Sequence, residues 1–493
     1  MGGPEKKRPT PRWDPERTYD HLLDAIRAYR SSGMISFHMP GHKNRAGLLP
    51  ADLPYAIDMT ESANMADLYA PSGPLRSAMD ALRRFRGTSA SYFLFNGSTA
   101  GILAGLRSLT RPGDSVLIGR NAHRSVYQAL SLLRLHPHFI LPRYEEGLPL
   151  FLDISPARVA EALDAHPEIR LVLITSPTYE GICSDLPAIA QICRKKHCLL
   201  MVDQAHGAHL AYLNRFSDQR LPEAVDAGAD LVVESLHKTL PALTPAALVH
   251  LNNPRYQSAL EENLALFQSS SPSHIVLASI DECLTYLNEE GPRLFPPFLE
   301  RLFRFREGAQ NLHRLFLYQP DLPMDPFKLL LSCSAIEESA QKVTQDLYQR
   351  GFAFEMTLVN EILAMPSLAN QKKDLDKLLE ALLLLDSTYM PSRKRPRYPL
   401  PALPPQRLEP DEASWAKKVW VPFEKSAGLI AGEALWAYPP GIPLIWPGEE
   451  ITPEWIETVR AWTATGQSFR TTSQRFPDAF CVLAAPAKDR QAD

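Results

Sequence analysis

Lys238 and Asp203 are the residues of this chain whose surroundings are best suited to chemistry. Lys238 lies in VVESLHKTLPALTP (232–245), where β-branched residues stop at Ser235-Leu236-His237-Lys238 and a turn rich in Pro and Thr follows. A lysine held among polar neighbours at a strand's end can lose its proton and attack an aldehyde, which suits an aldimine with pyridoxal phosphate. Asp203, thirty-five residues earlier, ends a second apolar run, CLLMVDQAH. An acid there could keep a pyridine nitrogen protonated and strengthen the ring as an electron sink. Alone, each has an ordinary explanation, since His-Lys pairs are common on surfaces and an aspartate after a strand is commonly a helix cap. Their order, at the ends of successive strand-like runs, is what points to a cofactor site.

Two further demands of that chemistry have candidates. FNGSTAGILAGL (95–106) places Gly97, Ser98 and Thr99 at a strand-to-helix junction, where free backbone N–H groups and two hydroxyls favour a phosphate. The stretch lacks the spacing of a Walker loop or a dinucleotide fingerprint, so nucleotide binding is not expected. His123, in GRNAHRSVYQAL, could lie flat on a cofactor ring and shuttle protons. No metal site is expected. His38 and His42 are separated by Pro40 and Gly41, which prevent a helix from presenting both on one face, and the cysteines near His206 and His209 show no ligand spacing.

The elements that must hold these groups are short apolar runs alternating with helix-like segments between about 90 and 250. The strand candidates are 91–95, 115–119, 138–142, 171–175, 198–202 and 230–235; a seventh, 247–251, is expected antiparallel or at an edge. Between them lie amphipathic stretches such as 155–166 and 186–197. This alternation implies βαβ units and a parallel sheet covered on both faces, with functional groups at the carboxyl ends of its strands. Residues 255–390 read as mainly helical. The segment from Pro391 to Pro410 holds seven prolines and five basic residues and reads as a connector. The expected organisation is an N-terminal arm (1–35), a large cofactor domain (36–310), a helical or α+β small domain (311–390), the connector (391–410) and a C-terminal domain (411–493).

Composition narrows the class. With 493 residues, 45% hydrophobic and 22% charged, the chain is an ordinary globular one of two or three domains. It has no run of eighteen apolar residues and no apolar signal core at its start, so no membrane partner is expected. The formal charge of −4 argues against a nucleic-acid partner. Six scattered cysteines with no CxxC pair suit a reducing cytoplasm.

Seven motifs, in order, resemble the bacterial ornithine/lysine/arginine decarboxylases: FHMPGHKNRAG (37–47), FLFNGSTAGILAGL (93–106), GRNAHRSVYQAL (119–130), ITSPTYEGICSDL (174–186), MVDQAHGAHLAY (201–212), ESLHKTLPALTPAALVHL (234–251) and YPPGIPLIWPGEEI (438–451). The resemblance implies the fold of the aspartate aminotransferases, fold type I. That is an α/β architecture with a mainly parallel seven-stranded sheet, helices on both faces and a smaller α+β C-terminal region. It implies that Lys238 binds pyridoxal phosphate with Ser235 and His237 beside the phosphate, that Gly97, Ser98 and Thr99 form the phosphate loop, and that Asp203 pairs with the pyridinium. His123 would stack on the ring and Ala205 would pack on its other face. The implied reaction is decarboxylation of arginine, lysine or ornithine through an external aldimine and a quinonoid carbanion, with Lys238 or His123 returning the proton. A homodimer or higher assembly with sites near the subunit boundary, and a place in polyamine biosynthesis, belong to the same expectation. The long N-terminal wing domain of acid-inducible members has no counterpart, so the shorter members are the ones resembled.

Three positions depart from the family pattern: Gln204 where many members have Glu, Pro245 where many have Gln or a small residue, and His274 where many have an aromatic. The acceptor for the substrate's distal cation is open among Glu355, Asp67, Glu433 and Glu449. The alternatives are another fold type I enzyme, an aminotransferase or carbon–sulfur lyase, and a catalytically silent regulatory homologue. Intact Lys238, Asp203 and His123 argue against the silent one.

Overall fold

A computed structural model describes residues 19–32, 40, 54–61, 67–392, 397–437, 442–464 and 466–484. Apart from Pro40, the PGHK segment with His38 and His42 lies outside the described residues, as do 438–441 of the last motif. The chain divides into two compact units, one of Met1–Ser108, Gly207–Gln219 and Asp230–Phe295, the other of Leu109–His206, Arg220–Ala229 and Pro296–Asp493.

The main sheet has seven strands: β1 (Ala90–Leu94), β2 (Ser115–Gly119), β3 (His136–Ile140), β4 (Ile169–Thr175), β5 (Leu199–Asp203), β6 (Leu231–Ser235) and β7 (Ala247–Leu251). Their order is β1-β7-β6-β5-β4-β2-β3. β2 pairs in parallel with β3 and β4, and β4 with β5, whereas β7 runs antiparallel to both β6 and β1. Every residue of β6 and β7 is buried, and such strands read as unbroken apolar runs because both faces are covered. The sheet is the mainly parallel α/β one expected.

β3 starts two residues before its expected position, at His136, and includes Pro137. An edge strand tolerates a residue that cannot donate to the ladder, and β3 is half-exposed along most of its length. The larger correction concerns 255–390. Helices do occupy Gln257–Phe267, His274–Ala309, Ala340–Tyr348 and Lys372–Asp386, but an antiparallel four-stranded sheet intervenes. It comprises β8 (Phe316–Leu317), β9 (Leu329–Ser332), β10 (Met356–Thr357) and β11 (Glu361–Ala364), in the order β8-β9-β11-β10. Strands of two to four residues are too short to show a period of two in sequence.

Within the second unit the C-terminal segment has its own core, including Leu435, Ile445, Trp455, Trp462 and Phe480. Arg120, just past β2, fastens this segment to the sheet. Its guanidinium meets Glu449 at 2.5 and 2.9 Å and donates to the carbonyls of Pro443 and Leu444. Both partners of the pair are buried.

Candidate active site

In the first unit, β6 delivers Lys238. The strand ends at Ser235 and the chain turns into a single helical turn, Leu236–Thr239, on which Lys238 is half-buried. The hydroxyls flanking it, Ser235 Oγ and Thr239 Oγ1, are buried and have no hydrogen-bond partner among the described residues. His237 Nδ1 lies 2.9 Å from the Ala246 carbonyl. A carbonyl can only accept, so Nδ1 carries a proton and donates it to Ala246. On the other face of β6, buried Glu234 meets Arg86 at 3.0 Å and His250 at 3.3 Å, and His250 reaches Ser91 at 2.8 Å. This network ties β1, β6 and β7 together beneath the lysine.

The expected phosphate loop is also in this unit. Gly97 opens the helix Gly97–Leu109 with φ +78°, a left-handed value that costs glycine little. A Cβ added there would sit 3.5 Å from Pro245 Cβ, so Pro245 lies against the loop. Ser98 is half-buried and Thr99 exposed, at a helix start whose first N–H groups face no helical partner.

In the second unit, β5 delivers Asp203. The carboxylate is buried and accepts from the backbone N–H of buried Ala205 at 3.1 Å. Thr175 is its register partner at the end of β4, and Thr175 Oγ1 is buried with no partner among the described residues. His123 caps the helix Arg124–Leu133, its Nδ1 accepting from the Ser125 N–H at 3.2 Å. With Nδ1 accepting, the ring's proton is on Nε2. The His206 ring packs on Tyr179 with centroids 4.3 Å apart, and its Nδ1 is 3.1 Å from Nζ of buried Lys328. The Tyr179 hydroxyl donates to Glu355, an exposed carboxylate.

Sequence reasoning missed Thr239, Thr175, Tyr179 and Lys328. Thr175 and Tyr179 lie in one quoted motif, at a strand's carboxyl end and just beyond it, where position alone was a usable signal. Lys328 had none, since its partner is 122 residues away in sequence.

Within the first unit, the unpartnered buried hydroxyls beside Lys238 and the open helix start at Gly97 are donors that suit a phosphorylated aldehyde. The family profile "Orn/Lys/Arg decarboxylase, major domain" matches residues 21–325, and "Orn/Lys/Arg decarboxylase, C-terminal domain" matches 401–477. The chain belongs to the Orn/Lys/Arg decarboxylase family. It is 31% identical over 456 residues to protein YaaO of Bacillus subtilis, covering 88% of this chain and 92% of that one. It is 27% identical over 457 residues to the arginine decarboxylase of the same organism, covering 89% and 92%. The fold of this decarboxylase matches the lysine decarboxylase LdcF of Francisella novicida with a TM-score of 0.81 at 18% identity, over 94% of this chain and 81% of that one. The constitutive lysine decarboxylase of E. coli gives a TM-score of 0.80 at 20% identity, over 94% and 82%. The decarboxylase has no helix among its described residues long and apolar enough to cross a membrane.

Two of the four acids considered for a distal cation are already committed in this decarboxylase. Glu449 is the partner of Arg120, and buried Glu433 accepts from the backbone N–H groups of Ser473 and Cys481, both at 2.9 Å. Asp67 accepts from the Tyr69 N–H at 2.8 Å in the first unit.

Proposed function

We propose that the chain decarboxylates a basic amino acid, with arginine the first candidate ahead of lysine and ornithine, using pyridoxal phosphate held by the residues described. The observation that carries the reading is Lys238 at the end of a buried strand, flanked by two buried hydroxyls without protein partners, in a chain of this family. Arginine comes first because relatives matched over 92% of their length are named arginine decarboxylases.

When bound, the cofactor supplies the electron sink that receives the pair left by departing carbon dioxide. Lys238 Nζ would be the amine that anchors it. Gly97, Ser98, Thr99, Ser235 and His237 would hold its phosphate, and Asp203 would keep its ring nitrogen protonated. His123 and Ala205 would pack against the ring. His123 presents Nε2–H, because Ser125 occupies Nδ1. Lys238 Nζ or His123 Nε2 returns a proton to the substrate Cα. Glu355 takes the distal cation. It is an exposed carboxylate hydrogen-bonded to Tyr179, and a planar guanidinium matches a carboxylate in two parallel hydrogen bonds.

We further propose a cytoplasmic homodimer serving polyamine synthesis. All six cysteines are buried free thiols, which suits a reducing compartment. An apolar surface groove of about 500 Å³ in the first unit includes Leu243, Tyr286, Ile26 and Ile275, and Leu243 belongs to the turn that follows Lys238. That groove is the surface we assign to the second subunit.

The deciding experiment offers arginine, lysine and ornithine in competition to the purified protein with pyridoxal phosphate, and identifies agmatine, cadaverine or putrescine by mass spectrometry. One dominant amine, abolished by Lys238→Ala, is the expected result. Cofactor binding without any amine would sink the reading. Glu355→Gln should lower kcat/KM by about 10- to 100-fold, the worth of a hydrogen bond to a charged group, mainly through KM. An unchanged KM removes Glu355 from its role.

A further inference from the structure

At the edge of the main sheet His138, His166 and Glu168 converge, none of them a residue assigned to the cofactor. One ligand-capable atom from each lies within 4.8 Å of the others. His138 Nε2 is 3.5 Å and His166 Nδ1 3.3 Å from the same oxygen, Glu168 Oε1. Zinc with tetrahedral ligands at about 2.0–2.1 Å sets ligand–ligand edges of about 3.3 Å, so both separations are compatible with a shared ion. The two imidazoles lie with ring centroids 4.1 Å apart.

The backbone explains the convergence. Alternation along β3 puts His136 and His138 on one face and sends Phe139 to the other, where it stacks on Tyr127. His166 ends the helix Pro156–Ala165, and Glu168 immediately precedes β4. Both β3 and β4 pair in parallel with β2, so the cluster joins the two strands that flank it. Beside it, His136 Nδ1 meets Glu409 Oε1 at 3.0 Å. The competing explanation is a plain hydrogen bond between His166 and Glu168 at 3.3 Å, which predicts no zinc uptake at this cluster. His166 and Glu168 are exposed enough for an ion to enter from solvent.

We propose that His138, His166 and Glu168 bind one first-row transition-metal dication, of which zinc is the type, with the remaining coordination filled by water. Two imidazoles and one carboxylate are the ligands such ions prefer. The ion would staple edge strand β3 to the start of β4. None of its ligands serves the proposed reaction, so the two proposals stand or fall separately.

The test uses the untagged full-length protein, stripped with EDTA and dialysed. Zinc chloride is titrated against a chromophoric chelator, and cobalt(II) is added separately to read its visible d–d absorption. The expected result is one equivalent per chain and a cobalt spectrum without thiolate charge transfer, since every cysteine is buried. Each of His138→Gln and His166→Gln should weaken zinc by about tenfold or more, and the double variant should lose the equivalent. Zinc should raise the melting temperature of the wild type and leave that of the double variant unchanged. Wild-type affinity in the double variant, or no uptake by the wild type, overturns the site. If the double variant misfolds by circular dichroism, Glu168→Gln carries the same test with both histidines in place.

Discussion

Gln204, next to Asp203, shows how one side chain is fixed by its neighbours rather than by family habit. It is fully buried, donates from Nε2 to Glu223 at 2.7 Å and accepts from the Ala224 N–H at 2.8 Å. The glutamate that many relatives carry would set two carboxylates against each other without water. Gln204→Glu is therefore expected to destabilise the protein by about 2–4 kcal/mol, as uncompensated buried charge does. Denaturant unfolding that leaves the midpoint unchanged would refute this. Pro245 likewise has a contact to explain it, lying on Gly97, while His274 is wholly buried with Nδ1 3.2 Å from the Pro272 carbonyl. At this scale the sequence shows which residue types stand at strand ends, and Lys238, Asp203 and His123 were legible for that reason. It does not show who their partners are. Glu449 read as a possible substrate acid because Arg120 lies 329 residues away.

Among the elements, β11 holds the least comfortable charge. Glu361 is completely buried and neither of its oxygens has a partner among the described residues. Burial, reinforced by Glu180, holds its pKa well above the usual carboxylate range, while burial, then Glu145 and Glu361, push Tyr318 up to about 12. The folded protein thus keeps a proton that the unfolded chain releases above pH 4.5. The resulting stability is fully present below that pH and declines as pH rises toward the folded value. Glu361→Gln should raise the melting temperature at pH 8 on the order of 2–4 °C, with a smaller gain at pH 5. An equal shift at both pH values would mean that the proton is not the cause. Arg120 is the opposite case, a buried charge fully paired. Arg120→Met should cost about 3–5 kcal/mol by stranding Glu449, and pairing it with Glu449→Met should recover much of that loss in a double-mutant cycle. Six strands of the main sheet were legible because buried strands leave apolar runs of five to seven residues, whereas half-exposed β3 was read two residues late. The four short strands of the second sheet were not, because pairing over 2–4 residues is decided by long-range register.

For the whole molecule, the open question with the largest physical consequence is the surface beside the Lys238 turn. Leu243 is 50% and Tyr286 46% exposed on the groove in the first unit, where water would otherwise cover apolar side chains. Single exposed leucines are ordinary; a leucine, a tyrosine and two isoleucines bordering one groove are the composition of an interface centre. A second copy of the chain seated there would place the turn after Lys238 at the subunit boundary. Light scattering should then give twice the 55.2 kDa chain mass. Leu243→Glu introduces a charge that must be buried on association, and should shift the mass to a single chain while the isolated protein keeps its circular dichroism spectrum. Decarboxylation should fall with the dimer fraction upon dilution, because the turn that carries the lysine would lose its support. A Leu243→Glu protein that remains dimeric moves the interface to another face of the chain, and one that is monomeric yet fully active removes the subunit boundary from the site.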